Sequence, residues 1–120
     1  MMAVTLFGIA SCDSCRKARR WLDEQGIDYR YHDLRADGLD EAELSNWVKR
    51  ASTDRILNRR SATWRRGPEV YRNFYSDQNA IELMLENPTL IKRPILKADR
   101  TLMIGFDADE YGRVLGDRKA

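Results

Sequence analysis

The chain has 120 residues, 42% of them hydrophobic and 33% charged, and 21 Lys and Arg against 19 Asp and Glu leave a net charge of +2. This predicts one globular domain of the usual roughly 100–200 residues and excludes both a disordered chain and a general polyanion binder. It also excludes a small disulfide-stapled scaffold, because two cysteines cannot make such a framework.

Val4–Phe7 is a short apolar run ending at Gly8, and after the Ala10–Ser11 loop Ala18, Trp21 and Leu22 follow helical spacing. Strand, loop and helix are expected in that order. Gly26 supplies a stop for the helix, and Ile27, Tyr29 and Tyr31 then alternate with Asp28, Arg30 and His32 at the strand period. The connection is long enough to hold a helix, so the two strands can be parallel, in a right-handed βαβ unit. Asp37–Gly38 punctuates the chain. Asp40 is the expected cap of a helix with Glu43 at its third position, a Leu39–Leu44 staple and a buried stripe of Leu44, Trp47, Val48 and Ala51.

From Thr53 to Glu86 helical signals dominate: Ile56–Leu57, Val70 with Phe74, and Ser76 as a cap before Ala80, Leu83 and Met84. This block reads as a helical insertion at about residues 40–87. It is also locally basic, with Arg55, Arg59, Arg60, Arg65, Arg66 and Arg72 against Asp54 and Glu69. Asn87–Pro88 ends it. Leu90–Leu96 and Thr101–Phe106, joined across Asp99–Arg100, read as an antiparallel hairpin. Asp107 caps a last helix with Glu110 three residues on and Tyr111, Val114 and Leu115 inward. The order βαβ, helices, ββα predicts an α/β fold: a single domain over residues 1–120, with a thioredoxin-like mixed sheet and a helical insertion.

Cys12-Asp13-Ser14-Cys15 falls at the first strand-to-helix junction. Unpaired amides and the helix dipole there favour thiolate over thiol at Cys12, and Arg16, Lys17, Arg19 and Arg20 add cationic charge. After Cys12 attacks an electrophile, Cys15 is placed to attack the adduct and close a disulfide. Two other readings stay open. A zinc site needs about four ligands, and this pair with His32 does not supply a mononuclear set; alternatively, both cysteines are inert and buried. His32 lies on the polar phase of its strand and reads as structural or surface. Trp21, Trp47 and Trp64 read as packing residues.

Lys92-Arg93-Pro94-Ile95 is the second informative segment. Pro94 opens a strand where its missing donor is tolerable, and a cis bond there would bring Arg93 close to a ligand, although composition does not fix the isomer. Arg93 reads either as a fork of donors for an oxyanion or a glutathione carboxylate, or as a solvated side chain. Arg59 and Arg60 read as an oxyanion clamp or as plain surface charge.

Leu6-Phe7-Gly8-Ile9-Ala10-Ser11-Cys12-Asp13-Ser14-Cys15-Arg16-Lys17-Ala18, with Ile91-Lys92-Arg93-Pro94-Ile95-Leu96 and Gly105-Phe106, resembles the arsenate reductase-like family of thioredoxin fold, which also contains the Spx transcriptional regulators. The resemblance runs from about residue 4 to about residue 117. Arg30-Tyr31-His32-Asp33 and Ala62-Thr63-Trp64-Arg65 are most similar to its arsenate reductase-related subgroup, for which a glutathione-dependent thiol reductase role has been proposed. The resemblance implies a nucleophile at Cys12 and oxyanion-binding arginines at Arg59 and Arg93; Arg16 is a further candidate substrate- or oxyanion-binding residue, and no bound cofactor or metal is expected. Glutathione is the implied co-substrate, and glutaredoxin completes the reduction in the family's arsenate reductases. The chain departs from those enzymes in three places. Gly8 stands where they have a histidine, Gly105–Phe106 aligns near their third arginine, and Cys15 partners a cysteine that is alone in them.

Two functions follow as expectations. One is a cytoplasmic thiol-disulfide oxidoreductase using Cys12, Cys15 and Arg93. The other, implied by the resemblance to Spx, is a redox-sensing regulator that binds the RNA polymerase α-subunit. No membrane association is expected, because no apolar run approaches the roughly 20 residues of a span and Met1–Ile9 lacks a basic start. Direct nucleic-acid binding is not expected either, because the arginine block has no interleaved aromatic platform.

Overall fold

The computed structural model describes residues 3–67 and 76–116. Within them the chain divides into two compact units, Met1–Ala36 with Arg93–Ala120, and Asp37–Lys92. The expected pairing of Val70 with Phe74 lies outside the described residues.

The first unit holds strands β1 (Val4–Gly8), β2 (Arg30–Asp33), β3 (Ile95–Ala98) and β4 (Thr101–Ile104), in the sheet order β2-β1-β3-β4. β1 runs parallel to β2 and antiparallel to β3, which pairs antiparallel with β4. Helices α1 (Asp13–Glu24) and α6 (Ala108–Leu115) belong to the same unit. The result is the thioredoxin-like mixed sheet, βαβ followed by ββα.

Strand alternation determines what α1 and α6 cover. Tyr31, Leu6, Leu96 and Met103 lie in register across the four strands, and Leu6, Leu96 and Met103 share one cluster with Leu22 of α1 and Tyr111 of α6. Gly8 follows Leu6 by two residues and so points to the same face. α1 buries Cys15, Ala18 and Leu22 along one stripe. It ends at Gly26 (φ +68), where the Gly26 amide bonds to Asp23 and that of Ile27 to Leu22. This Schellman end takes Ile27 into the helix terminus and delays β2 to Arg30, later than alternation alone predicts.

The hairpin is shorter than the sequence pattern predicts. Pro88 starts a 3-10 turn over Pro88–Leu90, and Ile91 makes an isolated antiparallel bridge with Leu57 inside the second unit. The ladder therefore begins only after Pro94, whose ring nitrogen cannot donate. Asp107 caps α6 as expected, its carboxylate accepting the amides of Asp109 and Glu110.

Among its described residues the second unit contains α2 (Glu41–Ala51), α3 (Thr53–Ile56), α4 (Ala62–Arg66) and α5 (Asp77–Glu86). Leu44, Trp47 and Val48 are buried on α2, whereas Ala51 is half-buried. Asp40 occupies the N-cap of α2 without making a side-chain cap bond, so the expected capping box does not form through it. Ser76 caps α5 through the amide of Asn79. Buried Trp64 and Trp47 are packing residues. No helix among the described residues is long and apolar enough to cross a membrane.

Candidate active site

Cys12 is the N-cap of α1, with extended backbone (φ −91°, ψ 123°). The turn leading into it is closed by its own amide on the Ile9 carbonyl at 3.1 Å, and its carbonyl accepts the first helical bond, from Arg16, at 3.1 Å. A second anchor comes from the end of β2. The Asp33 carboxylate accepts the amides of Ala36 at 2.9 Å and Arg35 at 2.8 Å. The Ala36 amide first, then those of Arg35 and Ala10, outweigh desolvation and hold this carboxyl below the usual range, so the aspartate also grips the loop before Cys12.

The two sulfurs are unequal. Cys12 is half-exposed and Cys15 is buried, at 1% exposure; both are free thiols. Desolvation is the largest single influence on Cys12 and pushes its thiol up. The Cys15 amide, the Cys15 thiol and the Arg93 guanidinium together outweigh it, and the net position is below the ordinary cysteine value. No cap bond of full geometry forms at Cys12, so the Cys15 amide acts as an aligned dipole at the helix start. Cys15 is pushed up to about 12, by burial first and by the neighbouring Cys12 sulfur as well. The arrangement is one half-exposed sulfur more acidic than an ordinary cysteine beside one buried thiol that keeps its proton.

Arg93 lies two residues before β3, and the Arg93–Pro94 peptide bond is cis. The Pro94 carbonyl accepts the Gly105 amide at 2.7 Å, which ties this turn to the end of β4. The Arg93 guanidinium is the cation that acts on the Cys12 sulfur, from the segment leading into the strand beside β1. The helix arginines, expected from the sequence to supply that charge, are directed elsewhere. Arg16 donates to Asp13 at 2.6 Å and reaches the Ala10 carbonyl at 3.4 Å. Arg19 lies 4.0 Å over the Tyr31 ring and donates to the Tyr29 hydroxyl at 3.3 Å.

Arg59 belongs to the second unit, where it pairs with Asp54 at 3.1 Å and lies 5.7 Å from the Trp64 ring centre. His32 packs its ring 5.0 Å from Phe7, in keeping with a structural role. The structure adds one residue that sequence reasoning did not place at the site, Asp33, and gives Gly8, aligned there with the family's histidine, a packing role. Asp33 anchors the loop, and Gly8 has the Cys15 sulfur directly above its Cα hydrogen position. An Asp ending a strand just before a turn was the available signal for the first; the second required the fold.

Replacing Arg93 by Ala removes both a donor and a positive charge from the Cys12 sulfur, so the pKa of Cys12 is expected to rise. The pH profile of Cys12 alkylation, measured in a Cys15→Ala background so that one thiol reports, should move to higher pH. An unmoved profile would show that the helix start alone sets the thiolate.

Comparison with known proteins agrees with this construction. The ArsC family model matches residues 7–114. The chain is 41% identical over 108 residues to an uncharacterised protein of Haemophilus influenzae, covering 90% of this chain and 95% of that one. It is 35% identical over 117 residues to the global transcriptional regulator Spx of Listeria innocua, covering 96% and 88%. The solution structure of an arsenate reductase (ArsC) related protein from Brucella melitensis superposes with a TM-score of 0.74 at 41% identity, covering 92% of each chain. With the family match spanning nearly its whole length and the cysteine pair at the head of α1, the chain belongs to the ArsC family.

Proposed function

We propose that the protein is a thiol-disulfide oxidoreductase that reduces glutathione mixed disulfides in the cytoplasm, with Cys12 as nucleophile. The observation that carries this reading is the asymmetry of the pair: a half-exposed sulfur whose pKa is lowered by the helix start and Arg93, beside a buried thiol whose pKa is raised. The Cys12 thiolate attacks the disulfide of the substrate, a sulfur–sulfur bond breaks, and one thiolate leaves and takes a proton from solvent. Cys12 is then joined to the remaining half. Cys15 gives up its proton as its sulfur attacks Cys12, which releases the second thiol and leaves a Cys12–Cys15 disulfide. The pair has lost two electrons and the substrate has gained them. Two molecules of glutathione, or a glutaredoxin, return it to the dithiol.

Arg93 supplies a planar fork suited to a carboxylate of glutathione. Arsenate asks more of a site, because each donor aimed at its developing charge contributes about 3 kcal/mol, and Gly8 offers none where the family's arsenate reductases place a histidine. The experiment is steady-state reduction of a glutathione mixed disulfide and, separately, of arsenate, each coupled to glutathione. The expected result is saturable mixed-disulfide turnover that greatly exceeds arsenate turnover; no turnover of either would remove the enzymatic reading.

The 35% identity to Spx across 96% of the chain supports a second reading, in which the same pair is a sensor on a regulator that binds the RNA polymerase α-subunit. A pull-down against that subunit with the cysteines reduced and oxidised separates the two. A complex that depends on redox state would favour the regulator; no complex in either state would exclude it.

A further inference from the structure

Gly8 is buried in β1, and the direction its side chain would take is already occupied. A Cβ built there would stand 2.6 Å from the Cys15 sulfur, 3.2 Å from the Cys15 Cβ and 3.5 Å from Cε1 of Tyr31. The first distance is below any sustainable contact. The strand pleat explains why: Val4, Leu6 and Gly8 face α1 in turn, and where the first two present side chains to the helix, Gly8 leaves a hole that Cys15 fills from above. A cysteine side chain has a single torsion to its sulfur, and at 1% exposure that sulfur cannot move aside into solvent.

We propose that Gly8 is the positioning residue that determines the type of thiol chemistry at this site, by keeping the Cys15 sulfur seated beneath Cys12 so that a mixed disulfide is resolved within the chain. The inference rests on the thiol-transfer reading and deepens it. In this backbone a side chain at position 8 and a sulfur at position 15 compete for one space. A Cβ at 8 and the present seat of the Cys15 sulfur therefore exclude one another, and this chain has glycine there. The substrate class follows: disulfides whose first half is displaced by Cys12 and whose second half is displaced by Cys15, with an outside thiol needed only afterwards, to reduce the Cys12–Cys15 disulfide.

The step at issue is intramolecular. Cys15 loses its proton to solvent, its sulfur forms a bond to the Cys12 sulfur, and the bond between Cys12 and the glutathionyl sulfur breaks to release glutathione thiolate. The attacking sulfur must lie in line with the bond that breaks, and misplacement by about 1 Å costs on the order of 100-fold in such a reaction.

Two measurements test this. In the first, the reduced protein, Gly8→Ala, Cys15→Ala and the double variant are unfolded in urea. Gly8→Ala should lower the midpoint in the wild-type background and lower it much less where the Cys15 sulfur has been removed; equal shifts in both backgrounds would overturn the packing claim. In the second, reduced wild type and Gly8→Ala are mixed with oxidised glutathione, quenched in acid at successive times and weighed by mass spectrometry. Wild type should pass quickly to the internal disulfide, while Gly8→Ala accumulates the glutathionyl adduct, with resolution slowed on the order of 100-fold. Equally fast resolution in the two proteins overturns the positioning role. If neither protein forms an adduct at Cys12, the thiol-transfer reading fails and the resolving role fails with it, while the urea cycle still decides whether Gly8 and Cys15 are coupled.

Discussion

Cys12→Ser should abolish mixed-disulfide reduction while leaving the protein as stable as before or more so. A serine hydroxyl ionises far less readily than the thiol of Cys12, whose pKa is lowered, and loss of a nucleophile commonly costs on the order of 10⁴-fold or more in turnover. Stability should go the other way. Residue 12 is the N-cap of α1 and makes no side-chain cap bond, with the Cys15 amide at the third helical position. Serine is among the preferred N-caps, and its oxygen can accept that amide, which adds up to about 1 kcal/mol. Glutathione-coupled turnover and urea unfolding, run on the same preparation, check both halves. Undiminished turnover would remove Cys12 from the mechanism; a marked loss of stability would show that the sulfur packs rather than reacts.

Because the pKa of Cys12 is lowered, the active thiolate is present above that value and is lost as pH falls through it. Cys15, pushed up to about 12, retains its proton through the same range and gives it up only as its sulfur attacks. The pH profile of turnover should therefore have an acid limb belonging to Cys12, and Arg93→Ala should carry that limb upward without creating a new one.

The main features were legible in the sequence because each rests on local chemistry. A short apolar run, a Gly-bounded loop and helical spacing at Ala18, Trp21 and Leu22 placed Cys12 at a helix start, and Asp107 announced its own helix. What the sequence concealed depends on partners distant along the chain. Arginines at 16 and 19 are near Cys12 in number, yet they are engaged by Asp13 and by Tyr29 and Tyr31, while Arg93 is the cation that acts on the sulfur. Leu90–Arg93 has the composition of a strand, but prolines on either side hold it out of the ladder. Gly8 read as the end of an apolar run. That its missing side chain is the seat of Cys15 follows only from laying α1 on the sheet.

Tyr111 should be the point at which stability and chemistry meet. It is 1% exposed, with its ring edge-on to Phe106 at 4.9 Å and to Trp21 at 5.8 Å, so Tyr111→Ala is expected to lose about 3–5 kcal/mol of unfolding free energy. Its hydroxyl donates to the Gly105 carbonyl at 2.9 Å, and the Gly105 amide in turn donates to the Pro94 carbonyl at 2.7 Å. Gly105 itself has φ +85°, a conformation that a glycine adopts without strain. This chain of bonds runs from α6 to the turn that presents Arg93. Burial keeps the phenol protonated, so the link holds across the working pH range. Tyr111→Phe preserves the ring packing and removes the donor, which should cost about 1 kcal/mol in urea unfolding. If the link positions Arg93, the same variant also moves the Cys12 alkylation profile upward, by less than Arg93→Ala does. An unmoved profile beside the expected stability loss would show that Tyr111 is a core residue alone, and that the Arg93 turn is held by the β3–β4 ladder without help from α6.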